Sequence, residues 1–121
     1  MVYVLQYHAS QHPHFDLRLE RGGVLVSWAL PKGLPTQVDE RRLAVRVPDH
    51  ELSFATFEGD IPSGEYGAGT INIVDSGTYE CELWTDNRIV VRLHGSSGIT
   101  GLVLVPFKHG KAREWLAIRV K

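Results

Sequence analysis

A period of two runs through almost the whole chain, in short apolar stretches in which every second residue is polar or faces the other way. Residues 15–20, Phe-Asp-Leu-Arg-Leu-Glu, alternate strictly, and residues 42–47 alternate again with Leu43, Val45 and Val47 on one side and Arg42 and Arg46 on the other. Successive side chains of a β-strand point to opposite faces, so each such run makes a strand with one face for a core. Similar runs occupy residues 2–7, 24–30, 70–75, 78–84, 88–93, 102–107 and 114–120, and residues 53–58 read as a further short strand. Gly22-Gly23 is a strong hairpin signal; Ser76-Gly77 and His109-Gly110 read as two more turns. Residues 31–40 read as a loop with one helical turn before Arg41, and residues 59–69 as a glycine-rich loop. Helical periodicity is almost absent, which excludes a doubly wound fold. The expectation is an all-β, mainly antiparallel domain: a small closed or partly closed β-barrel of about eight strands with little helix. Closure removes the exposed edges that short strands otherwise present.

The 121 residues make one domain, 1–121, long enough to bury a real core. No stretch approaches the ~20 apolar residues of a membrane span, and the N-terminus lacks a signal-peptide pattern, so a cytoplasmic location is expected. Cys81 is the single cysteine, which excludes an internal disulfide and a thiolate zinc cage. A metal would have to use His, Asp and Glu, ligands that suit manganese, iron or zinc. The net charge of −1 is not that of a sequence-blind DNA coater. Nucleic-acid binding would need a local basic cluster, better suited to an end or a phosphate than to a long duplex.

Residues 8–20 concentrate the chemistry. Phe15, Leu17 and Leu19 take one face of the strand, and His14, Asp16, Arg18 and Glu20 take the other. His14 and Asp16 lie about 6–7 Å apart at Cα, close enough to share an ion, and His8 precedes them across a segment that can fold back. His8, His14 and Asp16 form an open three-point metal set that leaves positions for water and substrate. His12, between Gln11 and Pro13, reads as pointing away. A lone histidine on a strand face is ordinarily just solvated; two histidines, an aspartate, an arginine and a glutamate within 13 residues point to a site. Arg18, Lys32, Arg42 and His50 form a second group whose cationic side chains would bind a phosphate if they converge. The glycine-rich loop lacks the setting of a Walker or dinucleotide motif and reads as structural, with Tyr66 able to face the site. Trp28, Trp84 and Trp115 read as core, and Cys81 as a small buried apolar residue.

In order and spacing, residues 8–20, Ser27–Gly33, Arg41–Leu52, Phe57–Thr70 and Glu114–Val120 closely resemble the 3′-phosphoesterase module of bacterial end-joining DNA ligase D, including its short stand-alone archaeal versions. The likeness runs from about Val4 to the C-terminus. It implies a manganese-dependent enzyme on a small β-barrel that removes 3′-phosphate and 3′-terminal ribonucleoside from DNA or DNA/RNA ends at primer–template junctions. The 3′-hydroxyl left behind serves repair synthesis and ligation, with a separate DNA ligase or polymerase of the pathway as partner. By position, the resemblance makes His8, His14 and Asp16 the metal ligands and Arg18 and His50 phosphate-site residues. It makes Lys32 and Arg42 further basic groups of the active site, and Glu20 a supporting residue. Two departures stand out. The family's tyrosine four positions after the phosphate-site histidine is Phe54 here. The larger modules carry an arm before the first histidine, where this chain has seven residues; arm residues serve nucleoside removal, so phosphate removal is expected to dominate.

The expected chemistry is metal-assisted phosphoryl hydrolysis with water as nucleophile. Arg18, with Lys32 or Arg42, would neutralise the non-bridging oxygens, and His50 would bind an oxygen or protonate the leaving group. Two alternatives remain at this stage: a cupin-like metal-dependent oxygenase, and a non-catalytic nucleic-acid end-binding module.

Overall fold

The computed structural model describes residues 1–121. Nine strands follow one another: β1 Val2–Ala9, β2 His14–Arg21, β3 Val24–Leu30, β4 Arg41–Glu51, β5 Gly59–Ile61, β6 Gly69–Trp84, β7 Ile89–Gly95, β8 Gly98–Pro106 and β9 Glu114–Val120. Every pairing is antiparallel, in the order β1-β2-β3-β4-β9-β8-β7-β6, and β1 pairs with β6 to close an eight-stranded barrel. β5 is an extra strand on the start of β6. No helix is long and apolar enough to cross a membrane.

The apolar parity seen in the sequence lines the barrel in β1–β3 but is inverted in β4. There Ala44 joins the core, and Leu43, Val45 and Val47, expected to face it, lie on the other side, with Val47 in the cleft described below. Tyr3, Leu5, Leu17, Leu19, Trp28 and Leu30 belong to one cluster of 16 buried residues contributed by all the barrel walls. Trp28 is fully buried at its centre, edge-on to Trp115 at 5.8 Å and tilted against Trp84 at 6.4 Å. Truncating a leucine of this cluster to alanine would cost about 2–5 kcal/mol through lost burial and the cavity left behind. Gly22 and Gly23, at φ 61° and 84°, form the two-residue turn between β2 and β3, with the backbone twist that such hairpins demand.

Four local expectations are corrected. Residues 53–58 do not form a strand: Leu52–Thr56 is a 3₁₀ helix, because here the chain leaves the barrel wall and has no strand to pair with. Ser76-Gly77 is no turn but the middle of β6, a 16-residue strand that pairs with β1 through Thr78 and with β7 from Thr78 onward. Glycine is needed there for close approach, since a Cβ at Gly77 would collide with the His94 carbonyl. Residues 31–40 contain turns but no helical turn, and are braced by Glu40, which accepts hydrogen bonds from Thr36 N at 2.6 Å and Arg42 Nη2 at 3.0 Å. Cys81 is only half-buried, packed against the core and within 3.6 Å of Arg21 Nη1.

Candidate active site

The opposite parity of β1–β4 makes the site. Register pairs His8 with His14, Gln6 with Asp16 and Val4 with Arg18, and extends these rows to Ala29 and Ser27 on β3. This face is outside the barrel but not in water. The segment between β4 and β6, carrying the 3₁₀ helix, β5 and the glycine-rich loop, folds over it and encloses a cleft of about 1180 Å³. Asp16 is 4% exposed, Arg18 3% and Gln6 0%, so the simple solvated-face explanation does not hold.

His50 reaches this face through an irregularity. Ser27 pairs with Val47, but Leu25 pairs with His50, so β4 carries one extra residue opposite Val26. Strict alternation after Val47 would put Asp49 on the cleft face; the bulge at Pro48-Asp49 puts His50 there instead. Bulges are found where a strand must re-aim a side chain, and proline, which cannot donate to the ladder, is at home in one.

At one end of the cleft His8, His14 and Asp16 each offer a ligand atom, all within 4.8 Å of one another. His14 Nε2 is 3.3 Å from Asp16 Oδ1, and His8 Nδ1 is 3.9 Å from Asp16 Oδ2. The other ring nitrogens are engaged: His14 Nδ1 donates to the His12 carbonyl at 2.9 Å, and His8 Nε2 donates to the Ala68 carbonyl at 3.1 Å. A carbonyl can only accept, so these nitrogens carry the hydrogens, and the lone pairs of His8 Nδ1 and His14 Nε2 point at the common centre. Backbone carbonyls that orient imidazoles in this way are the usual outer support of a metal site. The donor set therefore fits a divalent ion of the manganese, iron or zinc type. The hydrogen bond with Asp16 raises the His14 pKa, against the lowering effect of burial.

Arg18 is fixed beside this centre. Its Nε donates to Gln6 Oε1 at 2.7 Å, Nη1 to Ser27 Oγ at 2.9 Å and Nη2 to Asp16 Oδ2 at 3.3 Å. Burial lowers its pKa, and the Asp16 charge opposes the shift. A guanidinium has five N–H groups, so donors remain for an anion in the cleft. Its Cζ lies 4.9 Å from the centroid of Phe54, which packs between His50 at 4.4 Å and Phe57, stacked at 4.8 Å. Burial, then the Arg18 charge, lowers the His50 pKa and keeps the imidazole neutral.

The structure thus brings together His8, His14, Asp16, Arg18 and His50, all of which line the cleft. It does not bring Lys32, Arg42 or Glu20 into it. Lys32 is exposed, and its carbonyl accepts from Arg42 Nη1, whose Nη2 pairs with Glu40. Glu20 Oε1 accepts from the Val2 amide at 2.8 Å. The glycine-rich loop, expected to be only structural, is a wall of the cleft, and Tyr66 on it is 84% exposed. His12 lies at the rim and serves through its carbonyl. Two residues were missed. Gln6 joins Arg18 to the covering segment by donating to the Phe54 and Phe57 carbonyls at 3.0 and 3.1 Å, and Ser27 holds Arg18 from β3. Each is a polar residue interrupting an apolar run at cleft-face parity, which is the signal that could have found them.

Residues 6–105 match the family described as the DNA ligase D 3′-phosphoesterase domain. The chain is 48% identical over 123 residues to the multifunctional non-homologous end joining DNA repair protein LigD of Mycobacterium tuberculosis H37Rv, covering 98% of this chain and 16% of that protein. It is 48% identical over 126 residues to the multifunctional non-homologous end joining protein LigD of Pseudomonas aeruginosa, covering 98% of this chain and 15% of that protein.

Proposed function

The chain belongs to the DNA ligase D 3′-phosphoesterase domain family, and from that membership we propose that it removes 3′-phosphate from DNA ends with a divalent ion, manganese first. Removal of a 3′-terminal ribonucleoside is the second activity that this membership suggests. The 3′-hydroxyl product is what a polymerase or ligase of an end-joining pathway requires, and the setting is cytoplasmic. One observation carries the reading: both imidazoles are tied at their outer nitrogens to backbone carbonyls, with the free nitrogens and Asp16 converging on one point beside Arg18.

His8, His14 and Asp16 hold the ion. A divalent ion bound there supplies Lewis-acid polarisation of the phosphate and lowers the pKa of a water. Arg18, already oriented by Gln6, Ser27 and Asp16, meets the non-bridging oxygens without reorganising, which is where such donors are worth most. His50, neutral in the free cleft, offers an N–H to a phosphate oxygen. The arriving dianion offsets the Arg18 charge and draws the imidazole toward its protonated form, from which it can pass a proton to the leaving 3′-oxygen. Lys32 and Arg42 act through the β3–β4 loop, and Glu20 through the start of β1.

The test is phosphate release from a primer–template with a 3′-phosphate primer end, with manganese or in chelator. Release only with the ion, leaving a 3′-hydroxyl, is expected. A folded, ion-loaded protein that binds the end and releases nothing would overturn the reading in favour of an end-binding module.

A further inference from the structure

Charge is segregated along this chain. Residues 51–87 contain no lysine or arginine, yet hold eight of its 14 acidic residues. That segment supplies the rim of the cleft formed by the covering loop, where Asp60 and Glu65 face the opening. A polyanion held by its end would be repelled along that rim.

The opposite side differs. Val47 and Pro48 line the cleft and also a second groove of about 270 Å³, completed by Arg46, Asp49 and Arg113. Arg46 is held in place, with its Cζ 5.3 Å from the Trp28 ring centroid and Nη2 3.3 Å from Asp49 Oδ1. Its backbone amide donates to the Arg113 carbonyl at 2.7 Å, fixing the β8–β9 loop beside the groove. That loop carries Lys108, Lys111 and Arg113, all exposed and none paired with a carboxylate. The adjacent acid, Glu114, is spent on the Lys111 amide at 2.9 Å, so the loop presents its three cations on a braced turn.

Building on the proposed function, we infer that the groove of Arg46 and Arg113 and the β8–β9 loop carry the sugar–phosphate backbone of the DNA whose 3′ end occupies the cleft. The strand leaves across Val47 and Pro48, away from the acidic rim. This is the local basic cluster that a chain of net charge −1 needs to hold a polyanion.

The experiment measures binding of a fluorescent duplex with a 3′-phosphate end by anisotropy, in chelator, over a salt series. Three proteins are compared: wild type, K108A/K111A/R113A, and the charge-matched R88A/R92A/K121A. Each lost phosphate contact lowers the slope of log affinity against log salt by about 0.9. The loop variant should lose roughly 2–3 in slope and bind at least about tenfold more weakly at moderate salt, while the matched variant keeps the wild-type slope. Equal losses in both variants, an unchanged loop variant, or no binding by wild type would overturn the inference. Phosphate release by wild type is read separately. Its absence would remove the proposed hydrolysis while leaving the slope comparison to decide the surface.

Discussion

Arg18 and Gln6 are joined in the interior by a 2.7 Å hydrogen bond from Nε to Oε1, and the same glutamine amide donates to the carbonyls of Phe54 and Phe57. One side chain thus couples the guanidinium of the site to the segment that roofs it. Gln6→Met keeps the volume and deletes every one of these bonds. Each buried group left unpaired costs about 1–3 kcal/mol. A clear drop in the urea midpoint is expected, with a fall in kcat larger than any change in KM. Wild-type stability in that variant would show that the roof is held by its aromatic contacts alone.

Arg18→Ala should slow phosphate release by about 10²–10³, the scale of losing one preorganised donor. It also leaves Asp16 buried without its cation, at a cost of about 3–5 kcal/mol, so unfolding is measured alongside turnover. Arg18→Lys should recover stability better than rate, because a point charge does not replace a fork tied at three atoms. Full turnover in Arg18→Ala would remove it from the site.

His14 and His12 separate side chain from backbone. His14→Ala should abolish manganese binding, read by titration calorimetry, together with turnover, while far-UV circular dichroism is unchanged. His12→Ala should bind the ion as wild type does, since only its carbonyl is used. Loss of binding in the His12 variant would mean that its ring, not its carbonyl, serves the centre.

Phe54 lines the cleft between His50 and Phe57 and does not belong to the barrel core. Phe54→Tyr adds a hydroxyl at the position where the family resemblance implies a tyrosine. A neutral hydrogen bond is worth about 0.5–1.5 kcal/mol, so phosphate release should rise roughly three- to tenfold at an unchanged metal requirement. A slower enzyme with an intact fold would place the phosphate away from this ring.

The Thr36 amide, then the Arg42 guanidinium, hold Glu40 well below the usual carboxylate range, at about 2. Because the folded value is depressed, what this brace adds to stability is complete above the ordinary value of 4.5 and is lost as pH falls toward about 2. A carboxyl carbon titration by NMR should give that midpoint for Glu40, and Arg42→Ala should move it upward. A midpoint near the ordinary value in wild type would mean that the β3–β4 loop is not closed in solution.

What the sequence made legible follows from the range over which its signals act. His14, Asp16 and Arg18 share one strand, so parity alone puts them on one face, and the short link to His8 makes the fold-back readable. Gln6 and Ser27 were hidden because a polar residue in an apolar run acquires meaning only when neighbouring strands stack it over Asp16 and Arg18. Arg42 shares its side of β4 with the core residue Ala44, whereas Val45 and Val47 pair with the cleft-face residues Ala29 and Ser27. Alternation within one strand cannot say which of its two sides meets the cleft. Residues 53–58 looked like a strand because pairing is a property of the partner, and here none exists. Ser76-Gly77 imitates a turn because close backbone approach and chain reversal both demand glycine.

Pro48 carries no polar side-chain atom, yet it decides whether a carboxylate or an imidazole faces the cleft at this point of β4. Lacking an N–H, it denies the ladder the bond that would let β4 run on in regular step opposite Val26. Had the strand kept step, the side chain on the cleft face would be the carboxylate of Asp49, and the pocket would repel an anion. The skipped step admits an imidazole in its place. Hospitality toward the anion at this position is therefore decided by the missing hydrogen of a neighbour two residues away.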